Sequence, residues 1–403
     1  MTTLTDPPQE SFRPSMLIND TRYRSYTFQF IALIVLIGAI AYLLSNLFAN
    51  LAAAGLNISY GFLHEPAGYD VQQTLIEYTS QSSHLRAAWV GILNTLLVAF
   101  LACLTATVLG VIAGVLRLSN NWLVSKLMSA YVEAFRNVPV LIWILVINTI
   151  VITMPAPRAY RGETPDAEMF LGLIAYTNRG VYIPAPTWGP GSGFVALVFL
   201  ASIAAIFMYR RYAVRQLYDR GRDLPTFWPS LAILFVPTLL VYFIMGRPVG
   251  IEVPALQGFN FQGGTQIGRP LIALWLALSV YTGAFIAENV RAGIQAVSKG
   301  QTEAAFSLGL RPNRVMNLVV LPQALRVIIP PLISQYLNIT KNSSLAIAVG
   351  YADVTATLGG ITLNQTGRAL ECILLLMLFY LTISLLISAV MNVYNQSVSL
   401  KER

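Results

Sequence analysis

EAAFSLGLRPNRVMNLVVLP, residues 303–322, is a polar, structured segment set between two long apolar runs. Its Ala and Leu content suits EAAFSLG to a short helix; Gly309 can adopt a positive φ and end it, and RPN follows as a turn. NRVMNLVVL then reads as a second short helix, closed by Pro322. The product is a helix–turn–helix, too short and too polar to cross a bilayer. Such an element transmits force if another protein grips it. The plainer alternative is an interfacial amphipathic hairpin that only links two spans.

The rest of the chain supplies the lipid setting. Of 403 residues, 56% are hydrophobic and 11% charged, and the mean hydropathy is +0.62. That balance describes a polytopic membrane protein and excludes a soluble domain of this size. Lys and Arg number 26 against 18 Asp and Glu. In a soluble chain the surplus would raise nucleic acid; here it is tested first as topology, and no nucleic-acid partner is expected. A bilayer core requires apolar runs of roughly 17–25 residues. The candidates are about 26–48, 87–116, 129–153, 193–209, 227–246, 270–290, 328–349 and 370–393, which makes eight. The first is too long for a signal-peptide core and follows Asp6, Glu10 and Asp20, although the AAA at 52–54 leaves cleavage open.

With the N-terminus inside, Arg13, Arg22, Arg24, Arg117, Lys126, Arg136, the five arginines of 210–222, Arg291, Lys299, Arg311, Arg314, Arg326, Lys401 and Arg403 are cytoplasmic. Those are 18 of the 26 basic residues; seven fall outside and Lys341 lies within a span. The bias places both termini in the cytoplasm. The outside loop 49–86 has room for short helices lying on the membrane. The loop 154–192 carries Pro155, Pro157, Pro165, Pro184, Pro186 and Pro190, which argue against long regular structure. RRYAVRQLYDRGRD (210–223) is a basic inside loop, read as an interfacial turn that pins topology in preference to a partner site.

Catalysis has no foothold. No GxxxxGK[ST] occurs, so the chain has no phosphate cradle of its own. His64 and His84 stand alone in the first outside loop without ligand spacing, and no metal site is expected. Cys103 and Cys372 lie in apolar runs and read as core packing.

The spacing EAA, three residues, Gly, nine residues, aliphatic, one residue, Leu-Pro resembles the cytoplasmic signature of ABC-importer permeases. Glu303, Ala304, Ala305, Gly309, Leu321 and Pro322 match, and Val319 stands where the family usually has Ile. YVEAFRNVPVL (131–141), YTGAFIAENVRAGIQAVSKGQTEAA (281–305) and LPQALRVIIPPLISQYLNITKNSSLAIAVG (321–350) are similar to the polar amino acid branch, as is VGILNTLLVAFLACLTATVLGVIAGVLRLS (90–119). The resemblance is nearest to the larger permeases of general L-amino acid systems.

The resemblance implies an all-α polytopic protein of about eight spans: a five-span core with three added. The core is 87–153 and 270–395, with a coupling loop at 291–327. The extra first span and periplasmic loop are 26–86, the inserted loops and two extra spans 154–269, and the cytoplasmic tails 1–25 and 396–403. It also implies a bacterial inner-membrane importer in which a periplasmic binding protein delivers an amino acid to two permease chains, the second commonly different. Two ATPase chains, which hold the ATP and Mg, would grip Glu303, Ala304, Ala305, Gly309, Leu321 and Pro322; this chain binds no cofactor. A rigid-body change would alternate access.

Polar residues in the spans are the pathway candidates. Lys341, with Asn342, Ser343 and Ser344, should face protein, water or an anion, as a gate or as a contact for a substrate carboxylate. Arg136 and Asn137 belong at the inner mouth, where Pro139 kinks the third span. Glu133 is placed to pair with Arg136 or a neighbour. Glu288 ends the sixth span as a pathway group or an interfacial charge. Asn94 and Thr95 suit a pathway, but helix capping or interhelical hydrogen bonds explain them as well. Two rivals stay open: an ion-coupled secondary transporter, disfavoured because Glu133, Glu288 and Glu371 sit near span ends, and a non-transporting scaffold.

Overall fold

The structure, a computed structural model, describes residues 16–55, 57–162, 166–222 and 224–398. Arg13, Pro165, Lys401 and Arg403, with the outermost parts of both tails, lie outside the described residues. Two units divide the chain, Met1–Gly61 and Phe62–Arg403. The first holds α1 (Met16–Asn19) and α2 (Thr21–Ala53). Tyr23–Ala53 is long and apolar enough to cross a membrane, and none of its most apolar window is buried among the described residues.

The loop that follows, with room for short surface helices, forms one 3₁₀ turn, Gly61–His64, and its described residues are otherwise irregular up to His84. The early helices of the second unit are α3 (His84–Leu116), α4 (Trp122–Asn137) and α5 (Val140–Ile152). Three short strands follow, β1 (Ala175–Thr177), β2 (Gly180–Ile183) and β3 (Ala185–Trp188). Then come α6 (Ser192–Arg220), α7 (Phe227–Ile244) and strands β4 (Val249–Glu252), β5 (Ala255–Gln257), β6 (Asn260–Gln262) and β7 (Thr265–Gly268). The chain closes with α8 (Arg269–Gln295), α9 (Lys299–Ser307), α10 (Pro312–Val315), α11 (Leu321–Asn342), α12 (Leu363–Thr366) and α13 (Ala369–Val398).

Among the described residues, seven helices are long and apolar enough to span, or eight if the bent pair α4–α5 counts as one. The third expected span is that pair, turned by 108°. Pro139 has no N–H to continue the ladder, and Val138 before it is extended at φ −113°, ψ 133°. The result is a break rather than a kink.

The core is built where α3 meets α8. Both carry small residues on the shared face: a Cβ added at Gly110 would stand 2.9 Å from the Gly283 carbonyl, and one at Gly114 2.7 Å from that of Ala287. Backbones this close exclude any larger side chain, the packing device of membrane helices. Val98, Ala102, Ile144, Leu274, Ile286 and Ile339 fill the centre, drawing α5 and α11 onto the same seam. Cys103 packs against this cluster, and Cys372 is buried beside Val354 and Leu358; both are free thiols.

The insert is a separate hairpin. β3 pairs antiparallel with β4, Trp188 opposite Val249, and this ladder closes the base of α6 and α7, which pack on each other. The proline-rich loops thus hold strands of three or four residues, consistent with the expected lack of long elements. Residues 210–220, expected as a loop, continue α6, which ends only where Gly221 turns at φ +65°. Arg and Gln are good helix formers, so the polar residues extend the helix past its apolar part.

Candidate functional site

Three places collect the sequence-predicted site residues. The first is the segment quoted at the start. α9 ends in a Schellman turn: the Leu310 N–H donates to Ala305 O at 3.3 Å, and the Gly309 N–H to Phe306 O at 2.9 Å. Gly309 sits at φ +77° to make it, with open space where a Cβ would be. Ala305 turns inward onto Val315 and Val320, with Val297, Leu310 and Val319 around them, so the segment has a small core of its own. Glu303 and Ala304 face outward, as do Phe306, Leu308 and Met316.

The second half corrects the sequence reading. Pro322 does not close a short helix; the backbone stays helical from Pro312 through α11. Residues Met316–Val320 take one π-helical turn, and Pro322 occupies the first turn of α11. A widened turn before the proline makes room for its ring and loses no hydrogen bond that Pro322 could have made. Leu321 is half-exposed beside it. The Gln323 amide donates to Val319 O at 2.9 Å and to the Gln301 side chain, which ties α11 back to α9.

The second place joins residues from three helices. The Glu288 carboxylate on α8 receives Arg291 at 2.5 Å, Arg117 from the end of α3, and Arg136 on α4 at 3.9 Å. Arg136 also lies over the Phe285 ring, 5.2 Å from its centroid. Glu133 is exposed and makes no ion pair among the described residues, so the expected local pair with Arg136 does not form. Asn137 is exposed at the break before Pro139. Three cations on one carboxylate hold the ends of α3, α4 and α8 together. Arg117 is the member that sequence reading treated only as a topology charge.

The third place is the far end of α11. Lys341 is exposed on this chain rather than enclosed by it, and Asn342 is half-buried. The Ser343 hydroxyl donates to Thr340 O at 2.7 Å and that of Ser344 to Lys341 O at 2.8 Å, so both serve the local backbone. The helix tightens to 3₁₀ geometry over Ser343–Val349 and ends at Gly350, φ +75°. Asn94 donates to the carbonyls of Gln73 and Ala352, both at 2.9 Å, and Thr95 accepts the Val354 N–H at 3.0 Å. Asn94 thus ties α3 to two loop carbonyls, and Thr95 ties it to the start of the turn that follows Asp353.

Residues 197–400 match the family of binding-protein-dependent transport system inner membrane components. The whole chain is 52% identical to the whole of a glutamate/glutamine/aspartate/asparagine transport system permease protein, BztB of Rhodobacter capsulatus. It is 43% identical to the general L-amino acid transport system permease protein AapQ of Rhizobium johnstonii, over 98% of this chain and 96% of that one. A putative amino-acid ABC transporter permease protein of Escherichia coli, YhdX, is also 43% identical, over 98% and 99%.

The chain belongs to this family. It is a multi-pass inner-membrane permease, and the ATPase of such a system is a separate subunit. The residues that sequence reading missed in this permease are structural: Gly110 and Gly114 on α3, a GxxxG spacing visible in GVIAG, and Asp353. Asp353 is fully buried; its carboxyl accepts the Ala356 N–H at 2.8 Å and caps the helical turn that begins there. Burial raises it to about 6. Nothing in its sequence neighbourhood, GYADVT, distinguishes it from an exposed loop aspartate.

Proposed function

We propose that this permease subunit takes up L-amino acids in an ATP-driven importer, paired with a second, different permease chain and driven by two ATPase subunits that carry ATP and Mg. A periplasmic binding protein loads it. The segment 303–322 is the observation that carries the reading. It presents Glu303, Ala304, Phe306, Leu308 and Met316 outward, and the turn at Gly309 is followed by a helix that runs unbroken from Pro312 into α11. A tug on α9 is thus transmitted through Gly309 to a helix of the core. Glu303, Ala304, Ala305, Gly309, Leu321 and Pro322 form the ATPase-coupling surface in this reading, within a loop at 291–327.

The exposed Lys341, with Asn342, Ser343 and Ser344 beside it, suits a pathway shared with the second permease chain, since an uncompensated cation facing lipid would be costly. Glu288, Arg136 and Asn137 act at the inner mouth, where the ion cluster has to loosen or move as one body. The core is 87–153 with 270–395; the added first span, the insert 154–269 and the tails are accessory. Both termini are cytoplasmic, which a Cys at Tyr218 shielded from an impermeant thiol reagent, and one at Phe259 reacting with it, would support.

The decisive experiment purifies the tagged chain in mild detergent, identifies what travels with it, and reconstitutes the set. An ATPase and a second permease should co-purify, and uptake should need ATP and binding protein. Protonophore-sensitive uptake by this chain alone, without ATP, would sink the proposal.

A further inference from the structure

A cavity of about 940 Å³ opens among the loop 70–73, the β1–β2 turn, the start of α8 and the segment 347–364. Its rim carries two arginines, and the sheet register explains why they are adjacent. β2 pairs antiparallel with β7, Gly180 opposite Gly268. Arg179 precedes the first and Arg269 follows the second, so the ladder sets them side by side; the Arg269 N–H donates to Arg179 O at 3.2 Å. Gly180, at φ +134°, permits the approach, since a Cβ there would collide with the Ile267 carbonyl.

Like charges held opposite one another across a ladder are destabilising. Arg269 also begins a 27-residue helix, where the dipole already favours negative charge. Neither arginine makes an ion pair among the described residues, and the buried Nε of Arg269 has no hydrogen-bond partner. The buried Asn178 side-chain oxygen is likewise unpartnered, and Asp70 lies on the same lining. Two donors of positive charge and two acceptors therefore face one cavity of small-molecule size.

We infer that this cavity is a receiving site for an α-amino acid zwitterion, its carboxylate bridging Arg179 and Arg269 and its ammonium group taken by Asp70 and the Asn178 amide oxygen. The inference rests on the amino acid reading given above. The cavity reaches Ile347 and Gly350, where α11 breaks, so a substrate held here waits at the head of the helix that carries Lys341.

The test uses the complete transporter in proteoliposomes with loaded binding protein, probed with L-glutamate and L-glutamine. Arg179→Gln with Arg269→Gln should lower uptake at saturating binding protein about tenfold or more, the scale of a lost charge-assisted bond. The concentration of binding protein that half-saturates ATP hydrolysis should move less than about twofold. Arg269→Lys should recover part of the uptake, which separates charge from local folding. An equal fall for both probes supports the α-carboxylate on the arginine pair; a fall for L-glutamate alone overturns it, because the pair would then hold the side-chain carboxylate instead. Unchanged uptake in the double variant, while wild type transports both probes, overturns the site. So does a loss restored by excess binding protein, which would make the arginines a docking contact for acidic side chains of that protein. A wild-type complex that moves no L-amino acid from a mixed set, these two probes included, would instead overturn the amino acid reading.

Discussion

α8 and α7 are both apolar enough to cross a membrane, yet 67% of the most apolar window of α8 is buried within the chain and only 6% of that of α7. Within those windows they differ more in side-chain size than in polarity. α8 buries Ala273, Ala277, Gly283, Ala284 and Ala287 against its neighbours, whereas α7 exposes Phe235, Val236, Leu239, Leu240 and Phe243. In lipid no hydrophobic force sorts the two, so close backbone approach through small residues decides which helix enters the core. Apolarity says that a helix is in the membrane; side-chain volume says what it touches there.

The sharpest way to break this comparison is to put the same side chain on each kind of surface. At Gly110 a Cβ would stand 2.5 Å from that of Ile286, while at Gly193 on α6 nothing lies within 4 Å. Gly110→Leu should cost about 3 kcal/mol or more and abolish monodisperse permease in size-exclusion profiles. Gly193→Leu should stay within about 0.5 kcal/mol of wild type. Equal yields from the two would remove volume as the sorting variable.

Gly309 tests a different kind of close tolerance. Its surroundings are open, so only the backbone forbids a side chain: a β-branched residue at φ +77° is disfavoured by about 1–2 kcal/mol. Gly309→Val should therefore insert and pack normally but lose ATP hydrolysis stimulated by loaded binding protein, with Glu303→Ala a milder form. Intact coupling in Gly309→Val would reduce the segment to a linker.

How legible these features were follows the same division. Runs of apolar residues located the spans, and the 303–322 spacing located the turn at Gly309, because both are local patterns. The α4–α5 break was visible as Pro139 but not its 108° angle, which depends on what α5 packs against. Arg117 and Glu288 are 171 residues apart, and no local pattern announces a long-range ion pair. Pro322 misled for the opposite reason. A proline in a first helical turn looks the same in sequence as one that ends a helix, and the π-turn before it resolves the two only in three dimensions.

Asp353 offers a smaller effect on the packed side of the comparison. A buried carboxyl raised to about 6 holds its proton more tightly than in the unfolded chain, where about 4 is usual. The contribution of this group to folded stability is then fully present below about pH 4 and is lost as pH rises to about 6. Asp353→Asn keeps the acceptor for the Ala356 N–H and removes the charge. It should flatten that decline and raise the melting temperature at pH 7.5 by an amount worth about 2 kcal/mol. Parallel pH profiles for variant and wild type would mean that the carboxylate is compensated.

The smallest expected effect bears most directly on α7. Leu239 is 48% exposed and Ala277 on α8 is fully buried. If α7 faces lipid, Leu239→Trp exchanges one apolar surface for another, and hydrocarbon chains adjust where side chains cannot. Stability and uptake should change by no more than about 0.5 kcal/mol, whereas Ala277→Trp should prevent folding outright. The informative result is a Leu239→Trp permease that folds and inserts as wild type yet no longer co-purifies with its partners. That outcome would mean the large side chains of α7 are a protein surface in the assembly, so that volume separates contacts within one chain from contacts between chains, rather than protein from lipid. Normal co-purification with normal uptake would leave the hairpin of α6 and α7 as a lipid-facing addition to the core.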